Sequence, residues 1–199
     1  MSKGEKEADR PCNCVDPSTR RGFLAALSAL GLEFAADGVP VLAQPASERP
    51  KEGDVLVSIT SEQPAALAPN DVPTGGPPVL AWPMDPATAT IRNDSRLNKV
   101  LLVRLDPATL LGATVERAAD GVVAYSAICP HAGCEVSGWV PDQQTLECSC
   151  HYSHYNPREG AAVIDGPATR ALPALPLKIV DGKLVVAKPF TSRVGIVPT

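Results

Sequence analysis

The sequence has few aromatic side chains, few histidines and little net charge, and each shortage narrows the functions to consider. Aromatic residues make up 4% of the 199 residues, only three residues are histidine, and the formal net charge is −4. A chain without a basic excess has no electrostatic attraction to nucleic acid, which we therefore do not expect as a partner. No apolar run reaches the roughly 20 residues that an unambiguous membrane-spanning helix needs.

Proline, by contrast, is frequent, with 21 residues, many of them between Pro40 and Pro86. Proline disfavours long regular elements in the interior of helices and sheets. Residues 44–98 are therefore predicted to be a Pro-rich extended lead-in with one or two strands. Asp54–Ile59 is predicted as one of these strands, and Pro64–Pro86 as loop.

The N-terminus has the layout of an export signal. The pair Arg20-Arg21 precedes an apolar run over residues 22–32, and further basic residues lie upstream. The stretch Thr19-Arg-Arg-Gly-Phe-Leu24 resembles the twin-arginine signal, which carries folded proteins across the cytoplasmic membrane. The alternative is an amphipathic helix that contains an arginine pair by accident.

This resemblance implies an exported protein that is periplasmic, either soluble or bound to the outer face of the cytoplasmic membrane. Glu33 and Asp37 interrupt the apolar run, and a carboxylate at the centre of a spanning helix costs about 2.5–3.5 kcal/mol. We expect residues 1–43 to be a signal cleaved after Ala43, although membrane association through residues 22–43 stays open. Cys12 and Cys14 would then be lost with the signal.

Residues 99–190 have the pattern of an all-β domain, and residues 191–199 are predicted as a C-terminal tail. Short apolar runs separated by turn residues predict strands. The predicted strands are Lys99–Leu105, Val122–Tyr125, Gln144–Cys148, Leu177–Val180 and Leu184–Ala187. Asp181-Gly182 between the last two runs predicts a hairpin.

Four cysteines and two histidines fall in two short stretches of this domain. They read Cys129-x-His131-x2-Cys134 and Cys148-x-Cys150-His151. Thiolate and imidazole ligands suit both iron and zinc, so a tetrahedral Cys2His2 zinc site is one interpretation. Zinc sites commonly group cysteine with cysteine and histidine with histidine, whereas each stretch here contains both types.

The two stretches resemble the Rieske iron–sulfur proteins of the subclass with a disulfide between two loops. The family pattern Cys-x-His-x-Gly-Cys and Cys-x-Cys-His-x-Ser is met at Cys129, His131, Gly133, Cys134, Cys148, Cys150, His151 and Ser153. The match implies that Cys129 and Cys148 bind one iron of a [2Fe–2S] cluster and that His131 and His151 bind the other. It also implies a disulfide between Cys134 and Cys150.

The resemblance covers roughly residues 99–190 and implies a fold. This is a Rieske-type antiparallel β-sandwich with a small cluster-binding subdomain. An N-terminal signal helix and the Pro-rich segment would precede it. Neutral imidazoles on one iron raise the reduction potential to about −150 to +300 mV, from about −400 mV with cysteine ligands alone.

Ser153 and Tyr155 match two further positions of the family. The resemblance implies that the Ser153 hydroxyl donates to a bridging sulfide and that the Tyr155 phenol donates to a cysteine sulfur. Donors to sulfur stabilise the more negative, reduced state, so both residues would raise the potential further.

None of the remaining candidate residues is expected to bind the cluster directly. Gly166-Pro167 matches the third, proline-containing loop that covers the cluster, with Thr169 as a departure from the family sequence. His154 lies one strand position from Ser153 and Tyr155, and we expect it to point away from both as an exposed residue. Tyr125 and Trp139 are interpreted as core residues.

The resemblance implies one-electron transfer, without a catalytic site of the chain's own. The favoured interpretation is the iron–sulfur subunit of a quinol–cytochrome c reductase-like complex, with a quinol-oxidising subunit and a c-type cytochrome as partners. Ala132 and Tyr152 replace the leucine and glycine usual in such subunits, which leaves the electron donor open. The alternatives are the small Rieske subunit of a periplasmic molybdenum dehydrogenase or oxidase of the arsenite-oxidase type, a free carrier, or a zinc-stabilised binding module.

Overall fold

The structure is a computed structural model that describes residues 45–61 and 63–196. The predicted export signal, with Cys12 and Cys14, lies outside these residues. The strands are β1 (Val55–Ser58), β2 (Val79–Asp85), β3 (Thr90–Ile91), β4 (Val100–Arg104), β5 (Val122–Ser126), β6 (Val136–Val140), β7 (Thr145–Cys148), β8 (Ser153–Asn156), β9 (Ala162–Asp165), β10 (Leu177–Val180) and β11 (Lys183–Val186). One short α-helix, α1 (Thr114–Arg117), and single 3-10 turns connect them.

The strands form two antiparallel sheets. The larger is seven-stranded in the order β10-β11-β1-β2-β4-β5, with β3 paired to β2, and the smaller is four-stranded in the order β6-β7-β8-β9. The segment before β10 returns to β5, where Ser126 N–H donates to Pro173 O and Leu175 N–H donates to Ala124 O, each at 2.9 Å. Hydrogen bonds therefore join the two ends of the larger sheet. The predicted all-β antiparallel fold with a smaller second sheet is confirmed.

Strands β4 and β5 form a wall that is apolar on both faces. Val100 and Leu102 of β4 point into one core, inside the larger sheet. Leu101 and Val103 point into a second core, shared with the smaller sheet. Successive side chains of a strand alternate between faces, so burial on both sides explains why residues 100–103 are all apolar.

The other predicted strands also form. The runs over 54–59, 144–148 and 177–187 appear as β1, β7 and the β10–β11 hairpin. In the hairpin Val180 pairs with Lys183. Asp181 and Gly182 adopt φ of 49° and 74°, as the favoured two-residue hairpin turn requires.

The prediction of loop throughout Pro64–Pro86 is wrong, because β2 occupies Val79–Asp85. Proline is normally excluded from interior strands because it lacks an amide donor. Pro83 lies where β2 changes its neighbour on one edge. Residues 79–81 of β2 pair with β4, whereas Met84 and Asp85 pair with β3.

The segment predicted as a lead-in contributes β1, β2 and β3 to the larger sheet. Arg92 is 2% exposed and binds the Asp54 carboxylate through Nε and Nη2 at 2.7 and 2.9 Å. Its Nη1 also donates to Pro45 O at 3.1 Å and to Glu48 at 2.9 Å. This buried cation therefore fastens residues 45–54 to the sheet.

The described part of the C-terminal tail also packs on the domain. Thr191 N–H donates to Ala174 O at 2.9 Å, and Val194 is buried. All of the described residues belong to one compact unit. None of the helices within 45–61 and 63–196 has both the length and the apolar character that crossing a membrane requires.

Candidate metal centre

Three loops meet where the smaller sheet joins β5. The first loop, residues 127–135, connects β5 to β6; the second, residues 149–152, connects β7 to β8; the third, residues 166–170, follows β9. The first loop is a tight turn. Cys129 N–H donates to Cys134 O at 2.8 Å and Gly133 N–H donates to Cys129 O at 3.0 Å. His131 therefore lies at the tip of this turn.

The two predicted sulfur ligands lie inside the protein. Cys129 and Cys148 are free thiols, each 1% exposed, in the core shared by the two sheets. Burial raises the pKa of the Cys148 thiol; a backbone hydrogen bond from Cys150 opposes this shift and the neighbouring Cys129 adds to it. Two thiols therefore face one another in an apolar environment that disfavours free thiolates. A metal ion would take the place of their protons.

The two predicted imidazole ligands lie together on the outer side. The rings of His131 and His151 are edge to face, with centroids 4.7 Å apart and an interplanar angle of 83°. His131 is half-buried and His151 is exposed. Nδ1 of His131 is buried and has no hydrogen-bond partner. A buried polar atom without a partner is costly, and a bond from Nδ1 to a metal would satisfy it.

This donor set fits a two-iron cluster. The thiols are paired on the inner side and the imidazoles on the outer side, which is the sorted arrangement that two irons with different ligands need. Among residues 45–61 and 63–196, no three His, Cys, Asp or Glu side chains converge on one metal position. The assignment of the individual ligands stays a prediction.

A disulfide links the first two loops. Cys134 and Cys150 are bonded, with their Cα atoms 6.4 Å apart and a sequence separation of 16 residues. This is the pairing that the family resemblance implies. Because Cys134 lies three residues from His131 and Cys150 lies next to His151, the bond holds the two imidazole-bearing loops side by side.

Tyr155 and Ser153 lie on β8, directly after the second loop. The Tyr155 hydroxyl oxygen is 3.1 Å from Cys129 Sγ, and Ser153 is fully buried. Burial, and then the contact with Cys129, raises the pKa of Tyr155, so the phenol keeps its proton and can donate it to a ligating sulfur. Ser153 Oγ accepts from Ala168 N–H at 3.1 Å. Its own hydrogen is left to donate, and the sulfide as its acceptor stays a prediction.

The third loop rests directly on the second. Gly166 has φ of +93°, and a Cβ there would lie 2.5 Å from Ser153 Cα and 2.7 Å from Tyr152 O. No side chain fits into this backbone contact. Gly166 therefore allows the third loop to approach, and the following Pro167 is exposed at the surface.

His154 is not simply exposed, so its prediction needs correction. On β8 it alternates with the buried Ser153 and Tyr155, as expected. However, its side chain is 25% exposed, and Nε2 lies 2.8 Å from Glu147 Oε2 on the neighbouring strand. The cross-strand pairing of these two residues could not be read from spacing alone.

Tyr125 and Trp139 pack in or against the core, as interpreted from the sequence. Tyr125 is 1% exposed, and its hydroxyl donates to Pro157 O at 2.8 Å. Trp139 is partly buried and packs against the core shared by the two sheets.

The sequence did not indicate two residues that cover the first loop. Arg96 Nη2 donates to the Gly133 carbonyl oxygen. The side chain of Ile196 lies beside the same glycine. Both are distant from Gly133 in sequence, so no local motif marks them.

Comparison with known proteins places these observations in a family. The model of the Rieske [2Fe-2S] domain matches residues 92–176. The "Putative respiratory nitrate reductase subunit Rieske" of Haloferax mediterranei is 45% identical over 76 residues, which are 38% of this chain and 34% of that protein. The "Cytochrome bc1 complex Rieske iron-sulfur subunit" of Streptomyces lividans is 32% identical over 148 residues, which are 72% of this chain and 85% of that protein.

The chain thus spans about a third of the Haloferax relative and most of the Streptomyces one. Among solved structures, the soluble domain of the Rieske protein II (soxF) from Sulfolobus acidocaldarius aligns with a TM-score of 0.36 and 22% identity. That alignment covers 48% of this chain and 65% of the other. From the domain match and the length of the Streptomyces alignment it follows that this chain belongs to the Rieske [2Fe–2S] proteins and is an iron–sulfur electron carrier.

Proposed function

We propose that this chain is the iron–sulfur subunit of a quinol–cytochrome c reductase-like complex. In this proposal Cys129 and Cys148 ligate the inner iron, and His131 and His151 ligate the outer iron. The observation that carries it is the imidazole pair at the protein surface, 4.7 Å between centroids, with a buried and unpartnered Nδ1 on His131.

In this proposal the buried cysteines hold the cluster, and the histidines leave one edge of it near the surface. The cluster supplies a one-electron couple, which imidazole ligation sets in the range of about −150 to +300 mV. Burial of Cys129 and Cys148 excludes water from the sulfur side. The exposed His151 provides a short path for electrons between the cluster and a partner.

The proposed partners are inferred from one relative that aligns with this chain over most of its own length. The Streptomyces relative is named a cytochrome bc1 complex subunit, and this chain covers 85% of it. We therefore propose a quinol-oxidising subunit as the electron donor and a c-type cytochrome as the acceptor. Tyr152 is 65% exposed beside His151, and this bulk would shape the contact with the donor.

A second candidate is the Rieske subunit of a periplasmic reductase, dehydrogenase or oxidase. The Haloferax relative, named a nitrate reductase subunit, supports it with 45% identity over 76 residues. The two candidates require the same ligand set but different donors. A quinol-linked subunit requires a strongly positive potential, whereas the second candidate tolerates a much lower one.

We also propose that the protein is exported and works on the outer side of the cytoplasmic membrane. The pair Arg20-Arg21 before an apolar run supports export, and so does the disulfide, since such bonds persist in oxidising compartments. Whether residues 22–43 are cleaved or retained as an anchor decides between a soluble and a membrane-bound form.

Electron paramagnetic resonance of the dithionite-reduced full chain, with a redox titration in the same sample, tests the proposal. We expect a mixed-ligand [2Fe–2S] signal with a strongly positive midpoint potential. The same signal at low potential would favour the second candidate. Zinc without a signal would overturn both.

Single histidine variants test the ligand assignment. His151→Ala is expected to abolish or transform the signal because one iron loses a ligand. His154→Ala is the matched control, since His154 pairs with Glu147 and should leave the signal intact. An unchanged two-histidine spectrum in His151→Ala would refute the assignment.

A further inference from the structure

Arg96 makes a direct contact with the first loop that the family motif does not include. It begins the 3-10 turn Arg96–Asn98 just before β4. Its Nη2 donates to the carbonyl oxygen of Gly133. Gly133 lies between His131 and Cys134, so the guanidinium binds the loop backbone between a proposed iron ligand and the disulfide.

The first loop is shaped to admit this guanidinium. Gly133 has φ of +73°, and a Cβ there would lie 2.8 Å from Arg96 Nη2 and 3.7 Å from Ile196 Cδ1. A side chain at Gly133 would therefore displace the end of the arginine from its contact, and the positive φ would strain the backbone. Ile196 completes the cover, and the segment before it is fixed by Arg170 Nη2, which donates to Gly195 O at 2.5 Å.

The charge of Arg96 is not cancelled by a carboxylate. Among the described residues 45–61 and 63–196, the ion pairs involve Arg92 and Arg104 but not Arg96. An arginine stays protonated throughout the physiological pH range. A permanent positive charge, which forms no ion pair with any carboxylate of the described residues, therefore lies in direct contact with the backbone of the first loop.

This charge is close enough to act on the imidazole side of the site. Gly133 is two positions from His131, so their Cα atoms are at most about 7.6 Å apart. Arg96 contacts the Gly133 carbonyl oxygen, so its charge lies on the order of one screening length, about 8 Å at physiological ionic strength, from the backbone of His131. Reduction makes the site one unit more negative, and a nearby cation stabilises that state.

We propose that Arg96 is a positioning residue that fixes the first loop through Gly133 and, by its charge, raises the reduction potential of the [2Fe–2S] site. The inference rests on the cluster and ligand assignment of the proposed function. Two unit charges about 8 Å apart, at an effective dielectric constant between roughly 20 and 80, change an equilibrium constant by about two- to thirtyfold. For a one-electron couple, each tenfold change corresponds to about 59 mV.

A redox titration followed by electron paramagnetic resonance tests this on three variants of the full chain. Arg96→Gln removes the charge and is expected to lower the equilibrium constant for reduction by about two- to thirtyfold. Arg96→Lys keeps the charge and should recover most of the loss. Arg104→Gln is the control and should leave the potential unchanged, because Arg104 pairs with Val122 at the far end of β4 whereas Val100 pairs with Ser126 beside the first loop.

If Arg96→Gln fails to retain the cluster, a second pair of variants, Ile196→Asp and Ile196→Asn, tests the effect of charge beside Gly133 on the reduction potential. Neither variant changes Arg96. The aspartate would offset the guanidinium beside Gly133, so its variant should have the lower potential. Equal potentials for these two variants would overturn the inference. So would an unchanged potential in Arg96→Gln with an intact signal, or an Arg96→Lys potential as low as that of Arg96→Gln. A wild-type protein without a [2Fe–2S] signal would instead refute the proposed function.

Discussion

The hydroxyl oxygen of Tyr155 lies 3.1 Å from Sγ of Cys129, and both side chains are buried. Burial raises the pKa of Tyr155, and the contact with Cys129 raises it further. The phenol therefore remains a hydrogen-bond donor, and a ligating cysteine sulfur beside it is an acceptor. A donor at this position stabilises the state in which the sulfur carries more negative charge.

Replacing Tyr155 with phenylalanine is expected to lower the reduction potential while the cluster stays bound. Loss of one hydrogen bond, worth about 0.5–1.5 kcal/mol, should decrease the equilibrium constant for reduction by about two- to tenfold. Voltammetry of the full chain measures this. Tyr152→Phe, at an exposed tyrosine of the second loop, is the control, and equal potentials in the two variants would contradict the role given to Tyr155.

Replacing Gly166 with alanine is expected to displace the third loop and weaken cluster retention. The new Cβ would meet Ser153 Cα at 2.5 Å, whereas a Cβ at Gly160, which also has positive φ, would meet nothing within 4 Å. Gly160→Ala therefore has the backbone strain alone, about 1–2 kcal/mol. Iron content per chain and thermal unfolding separate the two variants. Equal behaviour would mean that the close contact between the loops is unimportant.

The free energy of unfolding is expected to fall as pH rises from about 10 to about 12. Burial raises the pKa of Tyr125 to about 12, against about 10 in an unfolded chain. The unfolded state therefore releases its proton first, and stability present below pH 10 is lost as pH rises, by about 3 kcal/mol over two units. Denaturant unfolding at stepped pH measures the slope.

Tyr125→Phe is the matched control for this alkaline loss. It should be less stable at neutral pH, because the bond to Pro157 O is lost, but its stability should depend less on pH above 10. If the free energy of unfolding falls as steeply with pH in the variant as in the wild type, other groups cause the effect, such as Tyr155, whose pKa is also raised.

Replacing Asp54 with asparagine is expected to destabilise the fold by about 3 kcal/mol, because the buried Arg92 loses its two-point partner and keeps only the partly exposed Glu48 and the more distant Asp85 as carboxylate neighbours. Both side chains of this pair are 3% exposed. Glu52→Gln is the control, since Glu52 pairs with Lys178 at the surface, with 65% and 42% exposure. Solvent screens such an exposed pair, so it contributes little to stability. Denaturant midpoints that shift equally would contradict the importance of burial.

The strands that the sequence predicted correctly are those whose pattern is local. In β4 and β5 the apolar runs are long enough to be unambiguous, and Asp181-Gly182 has the residue types that a hairpin turn requires. The strand β2 was missed because Pro83 argues against a strand. Its position where β2 exchanges one neighbour for another depends on pairing that only the folded sheet shows.

The side chains around the three loops also fall into two groups: some follow from local sequence spacing, and others depend on tertiary contacts. Tyr155 and Ser153 follow the second stretch at fixed spacing, so their approach to the site was predictable. The pairing of His154 with Glu147 depends on the register between β7 and β8. Arg96 lies far before Gly133 in the sequence and Ile196 far after it, yet both contact it in the fold. No spacing within a motif encodes such contacts.

The sequence by itself determined the chemistry of this protein, because the proposed ligands and the disulfide cysteines lie in two short stretches whose spacing is a local property. It also determined the all-β class through its short, turn-separated apolar runs. Only the tertiary structure decided how thiols and imidazoles sort to inner and outer sides. The same holds for Arg92 fastening the preceding segment to the sheet and for the cation that lies against the first loop. These features depend on residues far apart in sequence, which meet only when the sheets pack.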